Sequence, residues 1–324
     1  MRFSVLCLAI FLSPPLWADD EAMQLLSLMG TAVKEKNYDG IFTYQSGTKA
    51  QSIRIVHRAS PKGNIEKLLS LDGAARELVK TDESITCIFP EGKQIQIDKR
   101  PLGGGFPSDL LSRLSLAVPY YSIQTGRQDR IAGRAARQLK VMPVDAYRYG
   151  YELWVDEESH LLLASQLLTQ KGDVLERFTF SSITIGGEIS ESTLTPSRVG
   201  QQVTWERKQT EPVKREDIHQ NSVFPELWRV AWLPAGFKLV AEQSRRRVDK
   251  DLLVEQRVYS DGLSAVSVFI EQRDKTQQHL EGASKMGAVN AFGIVVDNHF
   301  ITTVGQVPEQ TVEKIVRSIE FAKE

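Results

Sequence analysis

A chain that catalyses must bring an acid, a base, a nucleophile or a metal ligand together, and residues able to do so are sparse here. Five histidines, His57, His160, His219, His279 and His299, stand far apart. No two share the i, i+3 or i+4 spacing that sets imidazoles on one helix face, and none neighbours a cysteine. Neither a structural zinc site nor a His-Glu-x-x-His centre is indicated. No Gly-x-Ser-x-Gly elbow presents a nucleophilic serine. Gly103-Gly104-Gly105 lacks the Lys-Ser/Thr pair that completes a phosphate cradle, so it reads as a loop. Asp156-Glu157-Glu158 supplies adjacent carboxylates, but in a hairpin turn these are expected to be solvated and do no acid–base work without a pocket. Cys87, inside the strand-like run Ser84–Phe89, reads as a buried structural thiol, with an intermolecular disulfide as the other reading. The sequence argues for no catalytic residue, no metal and no cofactor.

Recognition chemistry is better represented. Trp228, Trp232 and Phe237 lie within ten residues of one another, and Arg245-Arg246-Arg247 follows. Clustered Trp, Phe and Arg mark binding hot spots, yet they are also ordinary core residues, and the two readings stand level. The arginine run reads as a solvated face or as a set of donors for the carboxylates of an acidic peptide. A second feature is the alternation from Tyr147 to Val155, whose Tyr147/Tyr149/Tyr151/Leu153/Val155 face is the longest aromatic-apolar stripe in the chain. Tyr147, Tyr149, Tyr151 and Leu153, with Ile95 and Ile97 of another alternating run, are candidates to line an apolar hollow. The plainer alternative is a core filled by helices.

These residues need elements to hold them. Leu25, Leu28, Met29, Ala32 and Val33 fall on one helical stripe, and Asp19, Asp20 and Glu21 precede it where the helix dipole favours acids. Strand signals then follow one another at 38–45, 52–58, 65–70, 76–81, 84–89, 93–98, 120–126, 134–141, 147–155, 161–169 and 174–185, broken by Gly, Pro, Ser and Asp turns. A short helix is expected through Leu110, Leu111 and Leu114. Consecutive hairpins predict one large curved antiparallel sheet with helices on a single face, and such a sheet needs a plug or an apolar ligand on its hollow side. A polar stretch at 197–223 reads as a linker. Beyond it, strands near 237–244, 253–260, 264–272, 287–296 and 300–304 and an apolar stripe at Val312, Ile315, Val316 and Ile319 predict a small α+β domain.

The bulk numbers limit the partners. Arg2 followed by the apolar run Phe3–Leu12 and Ala18 predicts an export signal cleaved after Ala18, too short for a membrane span. Removing those eighteen residues from 324 leaves 306, room for two domains. Loss of Arg2 takes the net charge from −1 to −2, which disfavours nucleic-acid binding through phosphate neutralisation. The expected division is signal 1–18, first domain 19–196, linker 197–223 and second domain 224–324.

Several stretches resemble one family. Leu71-Asp-Gly-Ala-Ala-Arg76-Glu-Leu-Val79, Tyr147-Arg-Tyr-Gly-Tyr-Glu-Leu-Trp-Val-Asp156 and Val174-Leu-Glu-Arg-Phe178 are similar to the N-terminal domain of the MucB/RseB family. Trp232-Leu-Pro-Ala-Gly-Phe237, Tyr259-Ser-Asp-Gly-Leu263 with Phe269, and Val304-Gly-Gln-Val-Pro308 are similar to its C-terminal domain. The resemblance implies an α+β fold: a half-open antiparallel β-barrel with a helical plug, like the periplasmic lipoprotein carriers, plus the small C-terminal domain. It implies a non-catalytic periplasmic regulator that binds the periplasmic segment of a single-span anti-sigma factor of the RseA/MucA type. That binding would shield the segment from site-one proteolysis, and lipopolysaccharide or phospholipid in the half-barrel would release it. Partner contact is then expected at Trp232, Phe237, Arg245 and Arg246. A periplasmic carrier of lipoproteins or lipids is the alternative, and homo-oligomerisation stays open.

Overall fold

In a computed structural model, the described residues are 20–73, 75–90, 114, 118–196, 200–206, 228–247, 252–273 and 280–321. The chain opens with helix α1, Asp20–Glu35, acidic in its first turn and carrying Lys34 in its last. Its buried face is Ala22, Leu26, Met29, Ala32 and Val33, while Leu25 is half-buried and Leu28 is 39% exposed. The expected stripe is therefore rotated. The periodicity admits two adjacent leucine rows, and Ala22, small enough for a close approach to the sheet, selects the row through Leu26.

Eleven strands form one antiparallel sheet: β1 Tyr38–Ser46, β2 Lys49–Arg58, β3 Ile65–Ser70, β4 Glu77–Thr81, β5 Ser84–Pro90, β6 Tyr121–Ile131, β7 Arg134–Pro143, β8 Gly150–Asp156, β9 Leu162–Leu168, β10 Val174–Ile185 and β11 Gly200–Glu206. Their spatial order is β11-β5-β4-β3-β2-β1-β10-β9-β8-β7-β6, so the sheet does not close and β11 and β6 are its edges. It nevertheless curls, because β6 approaches β10 although three strands lie between them, and α1 rests against β6. Met29 and Val33 of α1 share one core with Phe42 and Ile53 from one arm of the sheet and Ile123, Leu139 and Leu153 from the other. Each such side chain is worth about 1.5–3 kcal/mol of burial, so the helix fastens both arms. Leu114, the one described residue of the expected second helix, is fully buried in the same core. The predicted strand at 93–98, with Ile95 and Ile97, lies outside the described residues.

Two expectations are corrected. Residues 200–206 belong to the sheet, not the linker: β11 pairs with β5 from Gly200↔Pro90 to Glu206↔Ser84, and Thr204 bonds Thr86 across the strands at 3.0 Å. Its Gln and Thr residues disguise a strand as a polar connector. The second correction is that β8 begins only at Gly150, because Asp145 caps a bend by accepting from the Tyr147 amide at 3.0 Å.

Beyond residue 227 lie β12 Trp228–Val230, β13 Lys238–Arg247, β14 Leu252–Ser260, β15 Ala265–Gln272, β16 Gly282–Met286, β17 Val289–Val296 and β18 His299–Gly305, then a helix at Glu309–Arg317 and β19 Ile319–Phe321. A four-residue helix, Glu191–Leu194, precedes β11; it is α2, and the helix at 309–317 is α3. Six strands make a sheet in the order β13-β14-β15-β18-β17-β16, and β12 pairs with β19. The α3 residues Val312, Ile315 and Val316 are fully buried against β17 and β18. Among the described residues the chain is mostly sheet, an α+β architecture with two large antiparallel sheets, one two-stranded ribbon and two principal cores.

Candidate functional site

The bend before β8 is where the two sheets meet. Strand alternation stops short of Tyr147 and Tyr149, so both side chains turn toward the second sheet instead of the first core. Tyr147 packs edge-on against Trp232 with ring centroids 4.8 Å apart. Its carbonyl accepts from Thr311 Oγ1 at 3.0 Å and its hydroxyl from Lys314 Nζ at 2.8 Å. Ala146 O accepts from Gln310 Nε2 at 2.5 Å. Tyr149 accepts from Asn290 Nδ2 at 2.8 Å, and the same amide reaches Val307 O at 2.7 Å. Tyr149 also packs with Leu167 and Ala288 in a small cluster of its own. The assignment of Tyr147 and Tyr149 to an apolar hollow is thereby corrected, since both are spent on the junction. Tyr151 is half-buried against both clusters, and Leu153 is fully buried in the first core.

Between the two tyrosines stands Arg148, the largest fully buried side chain among the described residues. Its guanidinium donates to Asp261 Oδ2 at 2.5 Å, to Asp145 Oδ2 and to the carbonyl of Ala235. The rings of Tyr120 and Phe237 lie 5.0 and 5.1 Å from its carbon centre. Asp261 is filled from its own side, accepting from the Leu263 amide at 2.9 Å and the Ser264 amide at 2.7 Å. Ser264 Oγ in turn lies 3.2 Å from the Tyr121 hydroxyl. Burial opposes the charge on Arg148, but the bonds to Asp261 and Asp145 outweigh it and raise the pKa. The result is a cation sealed between two sheets with every face occupied. Arg148 lies in the alternating run on the face opposite the tyrosines, and alternation alone did not single it out. Its signals were a guanidinium between tyrosines and the nearby Asp145.

Phe237 is therefore a junction and core residue, 6% exposed, which places it out of reach of a partner while the junction is closed. Trp232 is half-buried at the rim, where Lys314 Nζ sits 4.1 Å from its ring centroid. Arg245 and Arg246 lie on β13, in register with Val254 and Leu253 of β14.

Titratable groups elsewhere are committed to structure. Asp156 is buried, not solvated as its turn suggested: it takes a two-pronged bond from Arg134 at 2.7 and 2.9 Å and bonds from the Ser159 amide and hydroxyl, both 2.7 Å. Despite burial, those bonds hold its carboxyl below the ordinary value. His57 stacks on Tyr38 and is lowered by burial. Cys87 is half-buried, and burial pushes its thiol up, away from the reactive thiolate. A hollow of about 300 Å³ lined by Arg54, Lys67 and Thr193 has its cations bound already, Arg54 to Asp39 at 2.6 Å and Lys67 to Glu77 at 2.9 Å. Among the described residues, no group of three His, Cys, Asp or Glu is placed to hold a metal ion. No described helix is long and apolar enough to cross a membrane.

Comparison with known proteins addresses the whole of this arrangement. A family model described as the MucB/RseB N-terminal domain matches residues 21–198, and one described as the MucB/RseB C-terminal domain matches residues 224–320. The sigma factor AlgU regulatory protein MucB of Pseudomonas aeruginosa is 31% identical over 328 residues, covering 97% of this chain and 96% of that one. The sigma-E factor regulatory protein RseB of Escherichia coli K12 is 28% identical over 298 residues, covering 92% of this chain and 90% of that one. Among solved structures, the Pseudomonas aeruginosa MucA/MucB complex superposes with a TM-score of 0.73 at 28% identity, covering 94% of this chain and all of that chain.

Proposed function

The chain belongs to the MucB/RseB family, and from that premise we propose that it is a non-catalytic regulator which holds the periplasmic segment of a membrane-spanning anti-sigma factor. The relatives it matches end to end are named as regulators of sigma factors, and one is solved in complex with MucA. The observation that carries the reading is the junction itself. Arg148 ties the two sheets into a single joint, and a rim of Trp232, Tyr147 and Lys314 surrounds it. Such a rim offers the aromatic and cationic groups that dominate binding energy.

In this reading the chain acts in the periplasm after cleavage near Ala18, and its two domains meet at the Arg148 joint. Contact falls on Trp232, Arg245 and Arg246, while Phe237 supports the joint from beneath. Holding the segment would shield it from the site-one protease. The curled sheet supplies the other half of the proposal: an unclosed half-barrel around α1, in which the half-buried Tyr151, beside the core that holds Leu153, takes an acyl chain of lipopolysaccharide or phospholipid. Leu153 leads straight back through β8 to the bend at Asp145–Tyr149, so lipid entry would be felt at the joint.

The test is a protection assay with the purified periplasmic segment of the cognate anti-sigma factor and its site-one protease. Cleavage should slow several-fold when the protein is added and recover when lipopolysaccharide follows. Equal cleavage with and without the protein removes the regulatory reading. Trp232→Ala should weaken binding of the segment by more than about 1 kcal/mol; unaltered affinity in a folded variant would make Trp232 a packing residue.

A further inference from the structure

Among the described residues, four strands end the two larger sheets: β11 and β6 on the large one, β13 and β16 on the small one. An edge strand offers unpaired backbone N–H and C=O groups, and the charge it carries decides which chains can pair with it. The edge β6 mixes signs, with Arg127 3.4 Å from Asp129, and α1 packs beside it. Charge on β11 amounts to Glu206 and on β16 to Lys285. The edge β13 differs in kind. It carries Lys238, Arg245, Arg246 and Arg247 against one acid, Glu242. That acid is turned inward, its side chain 3% exposed and its Oε1 2.8 Å from Arg257. Directly across from Arg245, Arg246 and Arg247 the register sets the apolar residues Val254, Leu253 and Leu252. The one irregularity of the strand falls between Leu239 and Ala241, which leaves 242–247 as a regular ladder.

We propose that β13 is a docking edge for an extended, acidic segment of another protein, which adds to the small sheet as a further strand alongside residues 242–247. The proposal rests on the regulatory reading above and deepens it by naming how a held segment is bound. Backbone hydrogen bonds along the edge supply affinity that is indifferent to sequence, and the cations select the sign of the guest. The same charge rejects a second copy of this edge, since β13 against β13 sets cation against cation. A strand edge that refuses its own kind and accepts an acidic guest is both protected and usable.

The experiment is amide hydrogen exchange on the full mature chain, with two synthetic peptides of about eight residues, one alternating Glu and Val and one alternating Lys and Val. Exchange at 242–247 should slow with the acidic peptide and not with the basic one. The double variant Arg245→Glu, Arg247→Glu should bind the acidic peptide at least about tenfold more weakly. Should that variant fail to fold, Arg245→Gln with Arg247→Gln should show a smaller loss in the same direction. Unchanged exchange at 242–247 with the acidic peptide overturns the proposal. The anti-sigma factor segment separates the two readings. If it binds and protects a different surface, the edge proposal falls and the regulatory reading stands. If it does not bind while the acidic peptide still protects β13, the regulatory reading falls and the docking edge stands.

Discussion

Two arginines, one buried and one partly buried, are each set between two carboxylates, and they divide the work of this molecule. Arg148 joins the two sheets and Arg257 sits inside the small one. Around Arg148 every oxygen has a donor: the Leu263 and Ser264 amides complete Asp261, and the Tyr147 amide completes Asp145. Around Arg257 the accounts do not close. Its Nε reaches Glu242 at 2.8 Å and its Nη2 lies 2.9 Å from Glu255 Oε1, and it stacks 3.8 Å over Trp228. Yet neither Glu255 oxygen, nor Glu242 Oε2, nor Trp228 Nε1 gains a well-aligned hydrogen bond. Burial first, and then the neighbouring Glu242, push the Glu255 carboxyl above its ordinary value. A satisfied buried ion pair is a fixed clamp; an under-satisfied one takes up a proton instead. The same residue types thus give a fixed joint in one place and a cluster that responds to pH in the other.

The clamp is tested most severely at its centre. Arg148→Met leaves the buried Asp261 and the half-buried Asp145 without their cation, and removing one partner of a buried pair costs about 3–5 kcal/mol. Denaturant unfolding of the full chain should show the loss, and a change below about 1 kcal/mol would mean that Arg148 holds nothing together. Gly236 tests the closeness of the joint. It has φ +85°, and a Cβ there would overlap the Tyr120 ring. Gly236→Ala should therefore cost about 1–3 kcal/mol from backbone strain, before the ring displaces and loosens its contact with Arg148. A variant as stable as the parent would show that the joint has slack.

The Arg257 cluster makes the opposite prediction about pH. Glu255 has a raised folded-state pKa, so its favourable contribution is fully present below the unfolded value of about 4.3 and is lost as pH rises through the folded value. Stability should fall across that window. Glu255→Gln mimics the protonated form, should flatten this slope, and should gain on the order of 1 kcal/mol at neutral pH by removing an unsatisfied buried charge. Melting curves at acid and neutral pH for both proteins decide it. Parallel pH profiles would show that Glu255 is ionised throughout, and the contrast between the two arginines would vanish.

The fold was largely legible because strands advertise themselves by alternation. Ten of the eleven strand signals before residue 186 correspond to β1–β10, with only 93–98 outside the described residues. What escaped has a common cause. The strand β11 is rich in Gln and Thr, and β16, Gly282–Met286, is mostly exposed, so neither shows an apolar alternation. The junction escaped for the reverse reason. Tyr147 and Tyr149 continue a period-2 stripe in sequence, but the Asp145 bend breaks the strand that the stripe implies. Arg148 and Arg257 carried no decisive signal in sequence, because burial of a guanidinium depends on carboxylates distant along the chain, Asp261 for one and Glu242 for the other. Trp232 and Phe237 were visible as a cluster, but which of them is covered is decided by Tyr120 and Arg148, residues just before β6 and β8 and far from both in sequence.

The rim of the joint offers the mildest and most discriminating variant. Lys314 touches the same kind of aromatic surface as Arg148, with Nζ 4.1 Å from the Trp232 centroid and 4.9 Å from that of Tyr147, yet its side chain is exposed. Water competes for the ammonium and salt screens it, so the contact is worth only about 0.5–1 kcal/mol. Lys314→Ala should lower stability by about that much at low ionic strength and by less in high salt, whereas the loss in Arg148→Met should barely change with salt. The pair of measurements separates burial from chemistry, since both cations face rings and hydrogen-bond acceptors. Should Lys314→Ala prove as damaging as Arg148→Met, the rim would be part of the clamp, and a partner docking on Trp232 would have to break the joint in order to bind.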